Sequence, residues 1–137
     1  MAGEEAYRLL IDELPEVSQR PRTINFVVRH ALPLFFDAPG SSAPEAAWRV
    51  TQKGRAVSLT ATNAGDRRIR VASIRIGSGA KIVSFGPGLA GYALGHSAMS
   101  WTAAAAGPGL PAGAKVTITG QTEEGPFDAQ AVVQKAP

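Results

Sequence analysis

The chain has 137 residues, room for one domain and part of a second. Hydrophobic residues make up 45% and charged ones only 18%, which argues against intrinsic disorder and provides for a core. There is no cysteine, so a disulfide scaffold, a thiol nucleophile and Cys-ligated zinc are excluded.

The net charge of +3 is uneven: residues 1–39 hold four Arg against six acids, and residues 40–137 hold ten Lys or Arg against five. The halves therefore carry −2 and +5. That excess is too mild for a nucleic-acid footprint, and no aromatic residues interleave with the cations as a stacking platform needs. The apolar run Met99–Gly109 is too short for a membrane helix and is broken by Gly and Pro. Met1–Glu5 has neither the cations nor the apolar stretch of a secretory signal, so a soluble chain without an export address is expected.

In chain order, Tyr7–Leu14 alternates through Tyr7, Leu9 and Ile11, predicts a strand, and is stopped by Pro15. Residues 16–22 are polar and predict a loop. Thr23–Phe36 predicts a long second strand, with Ile24, Phe26, Val28, Leu32 and Leu34 of one parity and His30 interrupting. Pro33 cannot donate to a ladder and must lie at an edge or a bulge. Ala38–Pro44 reads as a linker and hinge.

Short strands follow at Ala47–Gln52, Ala56–Thr62, Arg67–Ile76, Lys81–Phe85, Tyr92–Leu94, Ala98–Thr102, Ala114–Thr122 and Pro126–Val133. Asn63–Asp66 predicts a turn. The apolar phase slips between Val71 and Ile74, which predicts a bulge. Such spacing predicts an all-β sandwich over residues 40–137, preceded by a hairpin over residues 1–39. A hairpin with one apolar face does not stand alone in water. Burying Ile24, Phe26, Val28 and Leu32 is worth roughly 6–12 kcal/mol at about 1.5–3 each. That face requires a cover: a second copy, a ligand strand or the missing half of a domain.

Candidate chemistry is sparse. Gly86–Gly91 matches the G-x-G-x-x-G string, but no helix follows it, and a plain loop is the expected reading. His30 and His96 lack further ligands for a metal. His96, Ser97 and Asp66 can be drawn as a triad, yet no positioning motif supports one. The pairs Glu123–Glu124 and Asp12–Glu13 are expected to be solvated. Arg67, Arg68, Arg70 and Arg75 are expected to line the solvent side of a strand, with an anionic partner surface as the alternative. Trp48 and Trp101 are expected to anchor the core. No enzyme, metal or cofactor is expected.

The succession Tyr7–Pro15, then Thr23–Phe36 ending Leu32-Pro33-Leu34-Phe35-Phe36, then Trp48, Leu59–Gly65 and Gly91–Gly95, resembles the PapD-like periplasmic chaperones of the chaperone–usher pathway. The resemblance implies an immunoglobulin-like sandwich over 40–137. It implies that 1–39 matches the last two strands and the linker of an incomplete first immunoglobulin-like domain. It further implies a periplasmic chaperone of pilus subunits that works with an outer-membrane usher. The donated strand would plug an unfinished pilin sandwich with Ile24, Phe26, Val28 and Leu32. The family's anchoring Lys falls at Pro33, and Arg8 does not replace its anchoring Arg. A self-contained sandwich module that binds protein or carbohydrate is the alternative. A homodimer through the hairpin is the expected assembly without a client.

Overall fold

The computed structural model describes residues 3–15, 22 and 24–137. Met1, Ala2, Thr23 and most of the loop expected over 16–22 lie outside the described residues. Among the described residues there are ten strands and no helix. The fold is an all-β, immunoglobulin-like sandwich with a separate two-stranded sheet before it.

The strands are β1 (Glu4–Asp12), β2 (Arg29–Asp37), β3 (Ala46–Lys53), β4 (Ala56–Asn63), β5 (Ile69–Ser78), β6 (Lys81–Ser84), β7 (Leu89–Ala93), β8 (Ser97–Ala104), β9 (Lys115–Thr122) and β10 (Gly125–Lys135). The sandwich strands follow the order β6-β5-β9-β10-β3-β4-β8, with β7 also on β5. One layer holds β3, β4 and β8, and the other holds β5, β6, β7, β9 and most of β10. The last residues of β10 cross over, so that Val133–Lys135 pair in parallel with Val50–Gln52 and join the layers at one corner.

The core follows the period-2 alternation of strands covered on one face. Val57, Leu59 and Ala61 of β4 and Val116 and Ile118 of β9 share one core cluster with Val50, Ile76 and Val133, all essentially inaccessible. The predicted bulge is present: the β5 register shifts between Val71 and Ala72 against β7, and between Ala72 and Arg75 against β9. Ser73 adopts φ 51° there, its N–H donating to the Gly88 carbonyl (2.7 Å). The extra residue lets Ile69 and Val71 share the core with Ile74 and Ile76 despite opposite parity.

Among the described residues Asn63 is the one buried polar residue of the core, and it is fully bonded. Its amide Nδ2 donates to the Arg67, Ala93 and Leu94 carbonyls, and its Oδ1 accepts from Glu45 and Gly65 N–H. It ties the expected 63–66 turn to the chain entering β3.

Several expectations need correction. Of the second strand expected over Thr23–Phe36, residues 24–28 lie outside the strand, which begins at Arg29; Thr23 is outside the described residues. Glu13 N–H donates to the Val28 carbonyl (3.0 Å), while the Glu13 carboxylate accepts from Val28 N–H (3.3 Å). The next bonded pair would need an N–H from Pro15, which has none, so the ladder stops. Ile24, Phe26 and Val28 therefore lie outside β2. The first strand starts earlier than expected, at Glu4, because its ladder continues to Asp37. β7 takes in Leu89–Gly91, so half of the glycine-rich string is strand rather than loop.

The linker also differs from a free hinge. Ser42 N–H donates to Asp66 Oδ2 (2.7 Å), and Asp66 N–H donates to the Ser42 hydroxyl (3.0 Å). A Cβ on Gly65 would stand 2.0 Å from the Ala43 carbonyl oxygen, so only glycine lets the linker lie this close.

Candidate functional site

The β1–β2 ribbon has two faces, set by its register. Tyr7 stands opposite Leu34, Leu9 opposite Leu32, Ile11 opposite His30 and Glu5 opposite Phe36. Cross-strand partners share a face, so Tyr7, Leu9, Ile11, Leu32, Leu34 and Phe36 form one apolar surface. Nothing among the described residues covers it: Leu9 remains 42% exposed, Leu32 46% and Phe36 59%. Tyr7 and Phe36 meet edge to face at 5.8 Å, which organises this face without burying it.

Of the four residues expected to form a donor strand, only Leu32 lies in the ribbon. Val28 flanks it and is half exposed, whereas Ile24 and Phe26 are 80% and 88% exposed and touch no ladder. The bonded pairing of Glu13 with Val28 fixes the alternation along the ribbon. It leaves the N–H and C=O groups of Arg29, Ala31, Phe35 and Asp37 on the open edge of β2. Pro33 presents only its carbonyl there, so it sits at an edge as its chemistry requires. The far end of the ribbon is closed by a bidentate pair from Arg29 to Asp12 (2.5 and 2.8 Å). The Arg29 guanidinium lowers the Asp12 pKa below its ordinary value.

The opposite face of the ribbon docks on the sandwich through one cation. Arg68 Nη1 reaches Glu4 Oε2 at 3.1 Å, Nη2 reaches Glu123 Oε1 at 3.0 Å, and Asp37 lies 3.9 Å away. Its backbone N–H also donates to Glu4 Oε2 (2.9 Å), and its Cζ lies 4.0 Å above the Phe35 ring. Phe35 in turn packs 5.0 Å from Tyr92. The Glu4 side chain is 2% exposed. Arg68 thus faces the ribbon rather than open solvent, and Glu123 is a partner rather than a solvated tip. Nothing in the local sequence distinguishes Arg68 from Arg67 or Arg70. Its role depends on a carboxylate 64 positions away.

A cleft of about 470 Å³ opens beside this seam, lined by Asp37, Pro44, Trp48, Arg70, Phe127 and Asp128 among others. Trp48 stacks on Phe127 at 5.0 Å, and Phe127 lies across Gly120, where a Cβ would stand 2.8 Å from its ring. Trp48 is therefore a half-buried wall, as expected of a core anchor. Trp101 likewise packs against the core and donates its indole N–H to the Ala90 carbonyl (3.0 Å).

His96 and Asp66 do come together, with Nε2 2.8 Å from Oδ1. The Ser97 hydroxyl donates instead to the Leu94 carbonyl (2.8 Å), so the pair has no nucleophile to activate. Asp66 is held down to about 2 by the Ser42 N–H first, then by His96 and the Ser42 hydroxyl. The pair fastens the linker. His30 stands in β2, 4.0 Å from Glu13. Among the described residues no three His, Asp or Glu side chains converge as metal ligands would.

The fold and these surfaces define an immunoglobulin-like sandwich that carries an uncovered, strand-edged ribbon on an ionic seam. The chain is similar in structure to the crystal structure of the YadV chaperone. The TM-score is 0.64 at 16% sequence identity, over 96% of this chain. The match spans 63% of that chaperone's length. No protein-family model and no curated protein matches the sequence.

Proposed function

We propose that the chain is a chaperone of pilus subunits, acting in the periplasm by β-strand donation and delivering its clients to an outer-membrane usher. The observation that carries this reading is the uncovered apolar face beside an open strand edge, on a fold shared with the YadV chaperone. Backbone groups on the β2 edge supply affinity in strand addition, and alternate side chains supply specificity. Leu32, with Val28 beside it, is the ordered part of the donor segment. Ile24 and Phe26 extend it once a client strand supplies the ladder that β1 cannot. Pro33 interrupts the row of donors, so productive pairing runs from residue 24 to about residue 32. The reading needs no cofactor and no catalytic group.

The test is co-expression with a pilus subunit that lacks its final strand. The unmodified chain should hold the subunit in solution. Leu32→Glu and Phe26→Glu should each reduce capture at least about tenfold, because a carboxylate in an apolar groove has no partner. The melting of the sandwich should stay unchanged. Full capture by both variants would overturn strand donation. The core holds none of the described residues before residue 40, so residues 40–137 should also fold alone. A self-contained module completed by the hairpin predicts the reverse.

A further inference from the structure

The most open strand edge of the molecule is not in the ribbon. β8 ends the sandwich sheet and pairs only with β4. Ala105 N–H donates to the Arg55 carbonyl (2.8 Å), which marks that pair as hydrogen-bonded. Stepping back by twos puts residues 103, 101 and 99 in bonded pairs with β4. The N–H and C=O groups of Ala98, Ser100, Thr102 and Ala104 therefore point away from the sheet. Among the described residues none of these groups has a partner. All four residues are exposed.

Soluble proteins guard such edges with charge, proline, bulges or short length. The other edges here are guarded. β1 carries Arg8 and Asp12, β2 carries Arg29 and Pro33, β6 is four residues long with Lys81, and β7 is five residues long with Gly91. β10 is free on one side over Gly125–Val132 but carries Pro126 and Asp128, and the free stretch of β3, Ala46–Arg49, is four residues long and ends in Arg49. β8 reads Ser-Ala-Met-Ser-Trp-Thr-Ala-Ala over eight residues, with no charge and no proline.

We infer that β8 is a self-association edge, pairing antiparallel with β8 of a second copy across a two-fold axis. A register centred on Trp101 uses all four open residues, with Ala98 opposite Ala104 and Ser100 opposite Thr102. These side chains lie on the outer face, where hydroxyl pairs already cross from β4: Thr60 with Ser100 at 2.7 Å and Ser58 with Thr102 at 2.9 Å. The two-fold extends that row of hydroxyl pairs from one copy into the next. A strand that meets itself brings every side chain against a symmetry mate or a near neighbour. Two copies that each carry +3 therefore associate best where the contact holds no charge. An acidic or basic partner finds nothing on this edge to complement.

Sedimentation velocity of the full chain over about 5–500 µM, the span that suits a small interface, tests the pairing. A monomer–dimer equilibrium is expected. Ser100→Lys places two cations across the axis and should raise the dimer Kd about tenfold or more, while Ser100→Thr should leave it unchanged. In the unmodified chain, amide exchange at Ser100 and Thr102 should slow as concentration rises. A monomer throughout, with exchange independent of concentration, would overturn the inference. So would a dimer that ignores Ser100→Lys but weakens with Leu9→Lys, since that contact lies on the ribbon. Subunit capture, which rests on the ribbon, should be unaffected by Ser100→Lys, so the two readings fail separately.

Discussion

The ribbon and the sandwich are written in the same alternating code and meet opposite fates. In β4, Val57, Leu59 and Ala61 follow one another at every second position and are wholly buried. In β1, Tyr7, Leu9 and Ile11 do the same and stay 55%, 42% and 45% exposed. The difference lies outside the strands. β4 faces a second layer across the sandwich, whereas the ribbon's apolar side faces nothing among the described residues. Alternation therefore fixes which side chains share a face, and tertiary contact alone decides whether that face is buried or left exposed. The ribbon is held instead from its other side, by a cation and an aromatic ring.

The sharpest way to break this comparison is one truncation in each region. Leu59→Ala should cost about 2–5 kcal/mol in denaturant unfolding, the range for a buried leucine that leaves a cavity. Leu9→Ala, with the same chemistry and parity, should cost less than about 1 kcal/mol, because the side chain already faces water. Equal losses would mean that the ribbon is covered in solution.

The ionic seam comes next. Arg68→Ala strands a Glu4 carboxylate that is 2% exposed and should weaken ribbon docking by about 2–4 kcal/mol. Protection from amide exchange should fall in β1 and β2 while persisting in β5 and β9. The double variant Glu4→Gln, Arg68→Met should recover most of the loss, since no charge is then left buried alone. If the single variant leaves ribbon exchange unchanged, Phe35 against Tyr92 suffices to hold the ribbon.

The smallest effect concerns pH at the linker. The Asp66 pKa is lowered from 3.8 to about 2 in the folded chain. A depressed carboxylate favours the folded state fully above its unfolded value. That contribution is lost as pH falls from about 4 towards 2. The Ser42 amide resonance should move in that window, and amide exchange at Ser41, Ser42 and Ala43 should rise. Asp66→Asn should abolish the pH dependence. A Ser42 shift centred near the ordinary aspartate value would show that the clasp is absent in solution.

Much of this arrangement is legible in the chain because it rests on local chemistry. The bulge in β5 shows as a slip of parity between Val71 and Ile74, and the ribbon as two alternating runs around a polar stretch. The end of the β2 ladder is written there too, in Pro15, but it becomes readable only once the register pairs residue 13 with residue 28. Arg68 was illegible for the same kind of reason. One arginine among several gains its role from Glu4, Asp37, Phe35 and Glu123, four residues distant in sequence. The linker looked like a hinge by composition, since its Ser, Pro and Gly content does not reveal Asp66 waiting to accept from Ser42.

By itself, then, the sequence determined the all-β class, the alternation of each face, the bulge and the absence of thiol chemistry, because these follow from residue type and neighbours one to three positions away. Tertiary structure decided which apolar face is buried, which arginine bears the ribbon, where β2 begins and which edge is left unguarded. Each of those depends on register or on contacts between distant strands, and register is a property of pairs of segments that neither segment carries alone.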